Sequence, residues 1–177
     1  YKSDYASKKE SKEAGDELNV EIAEEGFTLL LNEENALPIP TPVSSSSVKN
    51  KPKVSVFGKN SVDIVLGGTG SGGISGEEAS TLFDGLEKGG FEYNPVLKKF
   101  YENDGVSGSG RSESPALTEG SSAAPTLDIG ETPVSRYTPE VRGSFNEYGD
   151  AAIVVISRLG GESWDLPRSQ NVANGGI

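Results

Sequence analysis

Six apolar residues in a row, AAIVVI at Ala151–Ile156, constrain this chain more than any other feature. A strand with one wet face would alternate apolar and polar residues, whereas an unbroken run reads as a central strand of a parallel sheet covered on both faces. A second short run, VSVFG at Val54–Gly58, has the same character and ends in a glycine, which exposes a loop at its carboxyl end. Segments with helical spacing separate these runs. Strands alternating with helices imply an α/β fold, a three-layer sandwich around a mostly parallel sheet.

The helical segments are identifiable one by one. Ala14, Leu18 and Ile22 recur at helical spacing from Ser7 to Glu25, with Lys, Glu and Asp on the other side, and Gly26 stops the pattern. FTLLLN, Phe27 to Asn32, is expected as a short buried strand that leaves through the turn NEENALPIP. Thr41 to Lys53 is polar and aperiodic, a loop. VDIVL is expected to add a short strand leading into glycines. GEEASTLFDGLEKGGF then reads as a helix with Ala79, Leu82, Phe83 and Leu86 on one face, ended by Gly89 and Gly90. Glu77 and Glu78 would occupy its first turn, where negative charge complements the helix dipole. FEYNP is extended, and NPVLKKFYEND is helical with Leu97, Phe100 and Tyr101 apolar. Residues 105–139 are loose, polar and rich in Gly, Ser and Pro, so they form a long loop; Pro139 to Tyr148 is again helical. No internal repeat is present, and the 177 residues suit one domain.

Composition removes several functions. With 16 basic and 27 acidic residues the formal charge is -11, which repels nucleic acid and anionic lipid alike. No run approaches the roughly 18 apolar residues of a membrane-spanning helix, and YKSDYASKKESKEAGDE lacks the apolar core of a signal peptide, so a cytoplasmic setting is the default expectation. The chain holds no Cys and no His. Disulfides, thiolate metal sites and the usual neutral-pH base are thereby excluded, and acid/base chemistry falls to carboxylates, Lys or Tyr. No metal and no cofactor is expected. The lack of any Met, even at position 1, is what an excised segment would give.

Two motifs carry chemistry. Gly68, Gly70 and Gly73 match a G-x-G-x-x-G spacing, but Ile74, Ser75 and Gly76 intervene before helical periodicity begins, whereas a dinucleotide site needs the helix to open within the glycines. The same small residues, Thr69, Gly70 and Ser71 among them, would also let a sugar or a neighbouring domain approach the backbone, and a plain turn is the simplest alternative. The second motif is ISRLGGESWD. Glu162 lies past the carboxyl end of the AAIVVI strand, the edge at which open α/β sheets hold ligands. Gly160 and Gly161 permit a sharp turn, while Arg158, Trp164 and Asp165 offer a cation, a stacking face and a second carboxylate. A carboxylic acid beside an apolar ring can have its pKa raised into the range of a general acid. The plainer alternative is a solvated acidic loop in an acidic protein.

Taken together, EIAEEGFTLLLNEENALPI, KVSVFGKNS, GGTGSGG with TLFDGLEKGGFEYNP, and GDAAIVVISRLGGESWD resemble the α/β sandwich domain of glycoside hydrolase family 3, in the family's order. The resemblance spans about residues 20–168, apart from the loop between Asp104 and Pro139. It implies a β-glucosidase-like enzyme in which a separate barrel domain supplies an aspartate nucleophile and Glu162 is the general acid/base. Arg158, Trp164, Asp165, Thr69, Gly70 and Ser71 would then face a terminal β-linked glucoside or oligosaccharide. Ser163 stands where relatives commonly carry Gly. A barrel takes about 250 residues, so the nucleophile is expected elsewhere, the sandwich domain incomplete or shortened, and the isolated chain inactive. A carbohydrate-binding or assembly module without catalysis remains the alternative.

Overall fold

The computed structural model describes residues 4–40, 51–66, 79–110 and 129–158. The chain divides into two compact units, Tyr1–Pro38 and Ile39–Ile177.

In the first unit, helix α1 (Lys8–Gly26) starts where Ser7 accepts a hydrogen bond from the Glu10 amide, while the Glu10 carboxylate accepts one from the Ala6 amide at 2.8 Å. This reciprocal arrangement satisfies amides that the first turn leaves without helical partners. None of the residues of α1 is buried, Leu18 and Ile22 included. Phe27–Asn32 does not form the expected strand: among the described residues no ladder partner takes it up, and Phe27 and Leu30 are 85% and 90% exposed. Apolar character brought the expectation, but strand formation requires a neighbour for the backbone. The turn that follows is well built. Asn32 receives the Leu37 amide and donates to the Leu37 carbonyl, bracketing a 3₁₀ turn at Glu33–Asn35.

The second unit holds the sheet. β1 (Lys53–Phe57) is its middle strand, flanked by β2 (Glu92–Tyr93) and β3 (Ala151–Val154), all parallel. Val54 pairs with Tyr93 on one side and with Ala151 on the other. The fold class is therefore the expected α/β arrangement. Two strand expectations change. Residues 62–66 are irregular, because the chain leaves β1 through a 3₁₀ turn at Lys59–Ser61. And among the described residues β3 is an edge strand, with Ala152, Val154 and Ile156 exposed in alternation. An uninterrupted apolar run is compatible with one-sided as well as two-sided burial, so the period alone could not separate them.

Helices cover both faces of β1. Val54 and Val56 pack with Phe83 and Leu86 of α2 (Leu82–Lys88), joined by Ala151, Ile153 and Val155. Phe57 contributes to a second cluster containing Leu97, Phe100 and Tyr101 of α3 (Pro95–Glu102) and Val141 of α5 (Pro139–Ser144). Each fully buried aliphatic side chain here contributes about 1.5–3 kcal/mol. The α3 boundary follows its sequence: Asn94 accepts from the Val96 and Leu97 amides, and Pro95 sits where no amide donor is needed. α2 begins later than expected, with Thr81 and Asp84 in a capping box, so Asp84 and not Glu77 or Glu78 is the acid of its first turn. A single helical turn, α4 (Asp104–Ser107), opens the segment expected to be loose, and a 3₁₀ turn at Val134–Arg136 closes it.

Candidate active site at the carboxyl edge of the sheet

Parallel strands β1, β2 and β3 deliver their carboxyl ends to one edge, and the residues just beyond β1 are polar yet buried. Lys59, Asn60 and Ser61 are only 2–4% exposed. Burial of such groups demands partners. The Lys59 ammonium donates to the Tyr101 carbonyl and lies 2.6 Å from an Asp104 carboxylate oxygen. Its backbone amide donates to both oxygens of Glu131 at 2.8 and 2.9 Å, and the Thr132 amide donates to the same carboxylate at 2.7 Å. The Asn60 side-chain amide reaches the Gly130 carbonyl. Residues from three distant stretches of sequence thus close around the exit of β1.

Gly58 is the pivot of this exit. Its φ of 108° lies in the region that favours glycine, its amide donates to the Tyr101 hydroxyl at 3.2 Å, and its carbonyl accepts from Ser61. The Tyr101 and Tyr137 hydroxyls are 2.6 Å apart. Burial, and next the hydrogen bond to Tyr137, push the Tyr101 phenol far above its ordinary range; burial also raises Tyr137. Both rings therefore stay neutral and serve as fixed hydrogen-bonding groups rather than bases.

A cleft of about 390 Å³ opens beside this knot, lined by Lys59, Asn60 and Tyr101 and by the carboxylates Asp63, Glu102 and Asp104. Carboxylates outnumber cations in it, which disfavours a pyrophosphate and suits a neutral, hydroxyl-bearing ligand. A larger cleft, about 550 Å³, lies at the opposite, amino-terminal edge between Lys51, Glu92 and Tyr148, away from the edge where open α/β sheets hold ligands.

Of the residues singled out in the sequence, Arg158 is exposed and follows the end of β3 on the carboxyl side. Glu162, Trp164, Asp165, Thr69, Gly70 and Ser71 lie outside the described residues. The sequence reading missed Lys59, Asn60, Tyr101 and Glu131. A lysine and an asparagine directly behind a strand-ending glycine were a local hint, but nothing in the sequence joins Lys59 to Glu131 across 72 positions.

No family model matches the chain. It is 30% identical over 158 residues to β-glucosidase A of Butyrivibrio fibrisolvens, a match covering 84% of this chain and 15% of that protein. The solved structure of β-glucosidase 3B from Thermotoga neapolitana, in complex with α-D-glucose, superposes with a TM-score of 0.61 and 25% identity over 90% of this chain and 20% of that one. The chain is a β-glucosidase-like domain of the family 3 type. This family 3 domain spans about a fifth or less of the length of the relatives it matches. Among its described residues, no helix is long and apolar enough to cross a membrane.

Proposed function

We propose that this family 3 domain supplies the general acid/base of a retaining β-glucosidase, with Glu162 as that group and an aspartate nucleophile on a separate barrel domain. The observation that carries the reading is the built carboxyl edge: β1 and β3 end side by side there, and β3 leads within eight residues of its last paired position to Glu162. Similarity to β-glucosidases supports the substrate class, terminal β-linked glucosides. In the first step the nucleophile bonds to the anomeric carbon while the Glu162 carboxylic acid gives its proton to the departing glycosidic oxygen. In the second the Glu162 carboxylate takes a proton from water as that water displaces the enzyme from the sugar. Two carboxyl groups roughly 5 to 5.5 Å apart perform this chemistry. Arg158, Trp164, Asp165 and the Thr69–Ser71 loop would bind the sugar, and the whole chain would act as one domain.

Glu162→Gln in the polypeptide that carries this chain together with its barrel tests the assignment. Turnover of phenyl β-glucoside should fall on the order of 10²–10⁴-fold while glucose binding persists. Unchanged turnover would reject the acid/base role and leave a sugar-binding module. This chain alone should not hydrolyse aryl β-glucosides, and activity at the rate of an intact enzyme would place the nucleophile within it.

A further inference from the structure

The amino ends of the three parallel strands bring together residues that the proposed reaction does not use. Lys51 stands just before β1, Phe91 just before β2 and Tyr148 just before β3. All three line the cleft of about 550 Å³ at that edge, with Glu87, Glu92 and Tyr93. Its volume is within the roughly 300–1,000 Å³ of small-molecule sites. Three of the lining side chains are aromatic, and each is half-buried. Phe91 and Tyr93 rest on one side against the core cluster of Val54, Phe83 and Leu86. The Tyr93 ring meets Phe83 edge to face, with centroids 4.8 Å apart. The Tyr148 carbonyl accepts from the Ser55 hydroxyl at 2.9 Å, and the Lys53 ammonium lies 5.2 Å from the Tyr148 ring centroid. The rings are thus held in place before any ligand arrives, which lowers the ordering cost of binding. Polar groups stand beside them. Burial raises the Tyr93 phenol pKa, and next a hydrogen bond to Glu87, which ties that carboxylate to the cleft wall. Glu92 and Lys51 are exposed and offer an acceptor and a donor.

Apolar rings with hydrogen-bonding groups at their margins match a glucosyl unit, whose equatorial hydroxyls form a polar rim around apolar C–H faces. A β-linked chain of such units is extended and presents these faces in succession, which suits more than one aromatic platform. Two carboxylates against one ammonium disfavour an anionic sugar. We propose that this cleft is a second carbohydrate-binding site, which takes a neutral β-linked gluco-oligosaccharide on Phe91, Tyr93 and Tyr148. The length of β1, about 13 Å, separates it from the carboxyl edge, so the cleft retains a chain and does not present its end for hydrolysis. The inference takes its sugar class from the β-glucosidase reading above but needs no role for Glu162.

Cellotriose titrated into the isotope-labelled chain, followed by backbone-amide NMR, tests it. Saturable shifts are expected at Phe91, Glu92, Tyr93 and Tyr148, and Tyr148→Ala should weaken binding roughly 10-fold. A titration without saturable shifts, shifts confined to residues outside the cleft, or an unchanged affinity in Tyr148→Ala overturns the inference. Should Tyr148→Ala not fold, Glu92→Ala, which removes an exposed acceptor, is expected to weaken binding a few-fold, and an unchanged affinity in it overturns the inference. Because this readout needs no turnover, it stands apart from the Glu162→Gln assay. Binding at the cleft with turnover intact in Glu162→Gln would keep this site and remove the acid/base role; a flat titration with turnover lost in Glu162→Gln would do the reverse.

Discussion

Glu131 is the single side chain whose loss should most loosen the exit of β1. Its carboxylate receives the Lys59 amide through both oxygens and the Thr132 amide through one. Both donating residues are buried, at 4% and 5% exposure. Glu131→Ala would leave two buried amides without this acceptor, and each unsatisfied donor costs about 1–3 kcal/mol. Because Glu131 itself is only half-buried, water can reach part of the vacated space, and the lower half of the summed range, about 2–4 kcal/mol, is the expected loss. With a denaturant slope of about 2 kcal/mol/M, urea unfolding followed by far-UV circular dichroism should show the midpoint falling by about 1–2 M. Glu131→Gln should fall between the variant and the parent, since its amide keeps one acceptor oxygen but turns an NH₂ donor toward a second donor. A Glu131→Ala protein within about 0.5 kcal/mol of the parent, the ordinary effect of a surface change, would refute the claim that this carboxylate holds the knot together.

Two predictions concern pH. Tyr101 and Tyr137 have raised phenol pKa values, chiefly from burial, so their contribution to stability is complete below the unfolded value of about 10 and is lost as pH rises toward the folded values. Alkaline titration at the tyrosinate absorbance should find two of the six tyrosines ionising only as the fold is lost; six ionised tyrosines in folded protein would contradict this. At α2 the sign is opposite. Hydrogen bonds from the Thr81 hydroxyl and then its amide lower the Asp84 carboxyl pKa, so the cap contributes above the unfolded carboxylate range and is lost as pH falls through the folded value. Thr81→Ala should raise the Asp84 pKa toward that of an ordinary carboxylate by NMR titration, and an unmoved value would show that the box is not its cause.

The parts of this fold legible in the sequence were those with local causes. Asn94–Pro95 announced the start of α3, the spacing of Leu97, Phe100 and Tyr101 announced its buried face, and Gly89–Gly90 announced the end of α2. Parallel pairing followed from the alternation of element types. What escaped had non-local causes. Whether AAIVVI is a central or an edge strand depends on what lies beside it, and whether FTLLLN becomes a strand depends on a pairing partner, neither of which the run itself contains. The site divides in the same way. Glu162 is what the family resemblance singles out, and it lies outside the described residues, whereas Glu131 became visible only when folding brought it to the Lys59 amide.

The extended segment Phe27–Leu31 has a consequence for the protein in concentrated solution. Four large apolar side chains and an unladdered backbone in one uncharged stretch are the ingredients of intermolecular cross-β association. The chain brackets that stretch with carboxylates, Glu24 and Glu25 before it and Glu33 and Glu34 after it. Stacking identical copies in register would place these like charges on top of one another, so the flanks act as gatekeepers. Self-association should therefore be held back by the same acidity that repels nucleic acid, and should grow as salt screens the flanking charges.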